Sequence, residues 1–209
     1  YFVQPSNTAM GAPDNAWGLR PERLLTAAVL QLDLTQLGTL PLNVQTESVT
    51  TPYDPFAVNA PLTIYASGVR NAYDLLWADN GHLYAPTNGS AANGAAPASP
   101  NPAVSSTRID QGIHGTYNGP VVPGISQVTQ TEHDWLFDVE QNGYYGHPNP
   151  KRFEWVLNGG NPTSGVDDYE VPQYPVGTQP DRNYRGVAFD FGQNYSPNGG
   201  IEYKSNVFN

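Results

Sequence analysis

The stretch YASGVRNAYDLLWADNGHLY, residues Tyr65–Tyr84, decides how this chain folds. It opens on alternating residues that suit a strand, passes an Arg70-Asn71 pair, and resumes strand character at Leu75–Trp77. Val69 and Leu75–Trp77 are apolar residues of the kind that fit a pleated, half-buried surface. Asp79-Asn80-Gly81 then supplies the positive-φ chemistry of a tight hairpin, and a third strand begins before Tyr84. Strand, rim residues, strand, turn and strand make the pattern of one β-propeller blade. In that geometry Arg70 and Asn71 lie where the chain enters a strand, within reach of a ligand in a central channel.

Composition agrees with an all-β fold. The 21 glycines and 20 prolines make about a fifth of the 209 residues turn-forming, while only 13% are charged. A net charge of −10 disfavours contact with a phosphate backbone, and no basic run offers a nucleic-acid footprint. No apolar span of 18 residues exists, so no transmembrane helix is expected. The absence of cysteine excludes disulfides and thiolate metal sites. An acidic, lysine-poor, Asn/Gly/Tyr-rich surface points to export, to the periplasm or beyond the cell.

Outward from the central stretch, Tyr1–Glu22 lacks a sustained period and reads as a long surface loop, with Trp17 free to dock on the body. Leu24–Leu34 has strand character, although Leu24, Ala27, Ala28 and Gln31 also fit a helical stripe. Gly38–Thr51 is a polar connection holding at most a short strand. Residues 88–128 are dominated by Ala, Ser, Pro, Asn and Gly and read as a low-complexity insertion between two strands, either a lid or a decoration. Trp135–Val139 and Val187–Phe191 are further strands, and Asn142-Gly143 makes a turn.

Taken with TNGS (Thr87–Ser90), TEHDWLFDVEQNGYYGHPNP (Thr131–Pro150) and SPNGG (Ser196–Gly200), the central stretch resembles the glucose/sorbosone dehydrogenase family. The resemblance runs from about Leu25 to the end of the chain. It implies a six-bladed β-propeller that binds pyrroloquinoline quinone (PQQ) and calcium, oxidises a sugar by hydride transfer to the quinone, and passes electrons to an external acceptor. Blades of about 40–50 residues make 209 residues roughly two to three blades, a single partial propeller segment of a longer protein. An open propeller also has bare strand edges through which copies can assemble.

The resemblance assigns Arg70 and Asn71 to the cofactor. Arg70 offers charge and a flat stacking face, and Asn71 donates hydrogen bonds to quinone or carboxylate oxygens. On residue types alone, Arg70 also reads as a strand-edge partner of Asp74. Gly89 and Ser90 fall where the family holds its catalytic calcium with main-chain carbonyls, and Ser90 departs from the family's proline. Asp134 and Tyr145 match a second, structural calcium, Tyr145 through its main chain; Trp135 stands where an acidic residue is common, leaving Glu132 or Asp138 as substitute ligands. Asp134 as a turn-capping loop residue is the plain alternative. No residue here matches the general base, which the resemblance places in an earlier blade. His82, His114, His133 and His147 show no metal spacing, and Asn88-Gly89-Ser90 is a formal glycosylation sequon. Trp17, Tyr144, Tyr145, Tyr174 and Tyr184 suit either a carbohydrate platform or packing between sheets. The rival reading is a non-catalytic extracellular propeller that binds carbohydrate or assembles on a cell surface.

Overall fold

Three short strands near the start of the chain form one antiparallel sheet: β1 (Phe2–Gln4), β2 (Ala28–Leu32) and β3 (Leu62–Ser67), in the order β1-β2-β3. The computed structural model describes residues 1–100, 105–108, 113–116, 119–165, 167–205 and 207. The helix-or-strand ambiguity of Leu24–Leu34 is settled by burial on both faces of β2, which makes its apolar residues run on without alternating. Ala28 and Leu30 pack with Leu62 and Ile64 on one face, while Val29 and Ala66 face the other. A bulge at Val29/Leu30, where Val29 opposes Ala66 and Leu30 opposes Ile64, carries Ala66 across to the face of Val29.

The second sheet follows from β4 (Leu76–Trp77) and β5 (Leu83–Thr87), joined by a hairpin. Asn80 Oδ1 accepts the His82 amide at 3.0 Å, and Gly81 takes φ +85°, the left-handed conformation that the Asp-Asn-Gly turn predicts. A separate two-stranded hairpin pairs β6 (Ser105–Arg108) with β7 (Ile113–Thr116). Then β8 (Asp134–Asp138) and β9 (Phe189–Gly192) complete a four-stranded antiparallel sheet in the order β4-β5-β8-β9. The fold is all-β, and no helix among the described residues is long and apolar enough to cross a membrane.

The structure corrects three sequence expectations. Tyr65–Tyr84 is not one blade, because β3 and β4 belong to different sheets. After Ser67 the chain turns Val69 into the core, fully buried, so the next strand pairs elsewhere. Arg70 and Asn71 therefore lie on a crossover tied to both sides: Ser6 N donates to Arg70 O at 2.8 Å and Asn88 N to Asn71 O at 3.0 Å.

Tyr1–Glu22 is not a surface loop. It contributes β1, and Ala9 and Met10 are buried against Leu157, Trp155 and Val128. Residues 88–128 do lie within an insertion between paired strands, since β5 bonds directly to β8. Its ends are zipped together, however, by Asn93 N to Val128 O at 2.7 Å, mutual Ala96–Ile125 bonds at 2.9 and 3.0 Å, and Ser99 N to Val122 O at 2.9 Å. Ala96, Val122 and Val128 supply the apolar anchors that low-complexity composition conceals.

Candidate functional site

Arg70, Asn71, Gly89, Ser90 and Asp134 come from the crossover, the end of β5 and the start of β8, and all line one cleft of about 280 Å³. Trp17, half-exposed at 52%, forms part of its wall, and the Arg70 guanidinium lies 5.9 Å from the centre of the Trp17 ring. A left-handed residue at Gly18 closes the short 3-10 turn Asn15–Trp17, and Asp14 caps its start, which fixes Trp17 over the cleft.

Arg70 makes no ion pair with Asp74. Its Nε donates to Ala9 O at 3.0 Å and its Nη1 to Gly89 O at 2.9 Å. Two carboxylates fasten the loop that follows β5. Asp134 accepts the amides of Gly89 at 2.9 Å and Ser196 at 2.7 Å, one on each oxygen. Glu132 accepts the Ser90 amide at 2.8 Å and the Asn158 side chain at 3.4 Å. Burial pushes the Glu132 carboxyl above its ordinary range, against the opposing pull of the Arg70 and His147 charges and the Ser90 amide.

The loop is packed so closely that residue 89 has to be glycine. A Cβ there would stand 2.3 Å from His133 O and 2.7 Å from Glu132 Cβ. Gly89→Ala is expected to cost about 1–3 kcal/mol, read as a lowered urea midpoint; a change within about 0.5 kcal/mol would show that the loop yields freely.

These contacts do not fit calcium. The ion wants six to eight oxygens, yet the Gly89 carbonyl holds a guanidinium and the Ser90 carbonyl accepts the Glu132 amide at 2.8 Å. Both Asp134 oxygens serve amides far along the chain, and Asp134 opens β8 rather than capping a turn of its own loop. Among the described residues no group of three or more His, Asp or Glu side chains is placed to hold a metal. Tyr145 lies outside the cleft lining and is 2% exposed; its hydroxyl donates to Asp138 O at 2.5 Å and its amide to Ser67 O at 2.9 Å. Glu132 and Asp138 are engaged separately, Glu132 by the Ser90 amide at 2.8 Å and Asp138 by His82 at 2.6 Å.

PQQ carries three carboxylates. Among the described residues lining the cleft Arg70 is the one base, and it faces Glu132 and Asp134. The local charge therefore opposes a tri-anion, and the Arg70-Asn71 pair does not by itself make a PQQ site.

The tyrosine platform is corrected as well. Tyr144, Tyr145 and Tyr174 are buried at 0–2% exposure, leaving Trp17 as the exposed aromatic of that set beside the cleft. His133 bonds Asp190 at 2.7 Å and buried His147 bonds Glu22 at 3.0 Å, while the side chain of His114 lies outside the described residues. Asn88, the sequon residue, is half-buried between the cleft and a smaller cavity, so its amide is a wall group in the folded state. Sequence reasoning named Glu132 only as a spare ligand; the sign of its position was the carboxylate pair at residues 132 and 134, just where a strand begins. Comparisons with protein-family models, curated proteins and solved structures found no match for this chain.

Proposed function

We propose that this chain is a segment of an exported β-propeller of the glucose/sorbosone dehydrogenase type, and that the cleft beside Trp17 binds carbohydrate. The observation that carries this reading is convergence: motifs far apart in sequence, at residues 70–71, 89–90 and 134, line one cleft with a half-exposed tryptophan. The four-stranded meander β4-β5-β8-β9 has the strand order of a propeller blade. Sugars present hydroxyls, which suit the side-chain amides of Asn71 and Asn88 in the cleft wall, and apolar C–H faces, which stack on an indole. Trp17→Ala is expected to weaken binding of the preferred neutral saccharide about tenfold, or about 1.4 kcal/mol, by titration calorimetry across a panel of mono- and oligosaccharides. Absence of binding to any member by the full-length protein would sink the proposal.

The second reading is the PQQ- and calcium-dependent aldose dehydrogenase itself. The adjacency of Arg70-Asn71 to Gly89-Ser90 favours it, and the engaged carbonyls and local acidity weigh against it. Reduction of a dye by the intact protein that depends on both PQQ and an aldose would establish it over simple binding.

A further inference from the structure

Adjoining the cleft, with Arg70, Asn88, Gly89 and Glu132 in the shared wall, is a small, partly open cavity with about 10 Å³ of room for the centre of a water molecule, lined also by Trp135 and His147. That is close to the least space that holds one water. Three of these residues carry a buried polar atom with no hydrogen-bond partner among the described residues: Asn88 Oδ1, Trp135 Nε1 and His147 Nδ1. Buried polar groups are normally satisfied, and three orphans carried by residues that line one small cavity are open to one shared partner.

The valences say which partner. The indole N–H only donates, and the amide oxygen only accepts. His147 Nε2 stands 3.0 Å from Glu22 Oε1, so the tautomer that donates there leaves Nδ1 as an acceptor. One donor and two acceptors are the complement of a water that accepts once and donates twice. If both His147 nitrogens carry protons, the water accepts twice and donates once. A monatomic cation is opposed by the indole N–H, and a monatomic anion by the amide oxygen.

We infer that this cavity is a built site for one structural water, which bonds Trp135, His147 and Asn88 and links the wall of the cleft to the Glu22–His147 pair. The site shares Asn88 with the cleft, but its test does not depend on what the cleft binds. In the wild-type protein the Trp135 indole proton is expected to show a cross-relaxation peak with a long-lived water, the resonance being assigned by its loss in Trp135→Phe. Magnetic relaxation dispersion of water oxygen-17 is expected to count one fewer long-lived water in Trp135→Phe, which keeps the ring and removes the donor. Lack of the wild-type peak, or an unchanged count in the variant, overturns the inference; if the variant does not fold, the indole resonance is assigned instead by through-bond correlation in the labelled wild-type protein and the peak decides.

Discussion

Arg152→Met is expected to lower the free energy of unfolding by about 4 kcal/mol, equivalent to a fall in melting temperature of about 8–16 °C for a chain of this size. The guanidinium is fully buried, as is its partner Glu154. Its Nε donates to both Glu154 oxygens at 3.1 Å, and Nη2 lies 3.0 Å from Oε2. The remaining donors reach backward across the chain: Nη1 to Leu24 O at 2.5 Å and Thr26 O at 2.8 Å, and Nη2 to Ala27 O at 3.3 Å. Those carbonyls precede β2 in a stretch that takes a left-handed turn at Ala27, φ +52°, and Arg152 takes over there the role of a sheet neighbour. Methionine fills much of the volume but strands a charged carboxylate and the Leu24 carbonyl in a low-dielectric interior, while the Thr26 and Ala27 carbonyls keep the Asn149 side chain and the Gly68 amide. The double variant Arg152→Met/Glu154→Gln is expected to recover part of the loss, because the uncompensated charge is gone. Urea denaturation of wild type, both single variants and the double closes the cycle. A single-variant loss under about 1 kcal/mol would mean that solvent reaches the pair.

Local patterns were legible in the sequence, and long-range ones were not. The Asp79-Asn80-Gly81 turn depends on residues within one hairpin and is where the sequence places it, while the strand character of Leu24–Leu34 narrows to Ala28–Leu32 with its helical alternative removed. The switch of sheet after Ser67 left no mark, because a period-2 pattern is the same whether the next strand joins its predecessor or starts a new sheet. What decides it is Val69 meeting Phe137 and Tyr145 in one core, contacts made with residues far along the chain. The cleft was half legible for a related reason. Arg70, Gly89 and Asp134 stand in recognisable motifs, but the occupancy of the Gly89 carbonyl by Arg70 depends on how the loop closes on Glu132 and Asp134. Buried polar residues were the least legible of all. No role for Glu22, Arg152 or Glu154 was read from the sequence, and part of what holds Glu22 and Arg152 in the interior, His147 and the carbonyls before β2, lies more than a hundred residues away along the chain.

Glu22 is expected to make the fold acid-labile. Burial alone would raise its carboxyl, but the His147 hydrogen bond and charge and the Thr26 and Thr8 hydroxyls more than offset that and hold it at about 2, against an ordinary value of 4.5. Thr8 Oγ1 donates to it at 2.6 Å, the Thr8 amide at 3.0 Å, and His147 Nε2 stands 3.0 Å away, so the ionised form is solvated by fixed donors. A carboxyl whose folded value is depressed stabilises the fold at every pH above its unfolded value. That contribution is then lost as pH falls from about 4.5 to about 2. The amount at stake is about 3 kcal/mol. Glu132 acts with the opposite sign: its value is raised, so protonation on acidification favours the folded state. Comparison of wild type with Glu22→Gln removes that background, because glutamine imitates the protonated carboxyl at any pH. The two proteins are expected to differ by about 3 kcal/mol at neutral pH and to converge near pH 2. Urea midpoints at a series of pH values measure the gap. If it stays constant across the acid range, the Glu22–His147 contact is a neutral hydrogen bond and contributes no pH dependence.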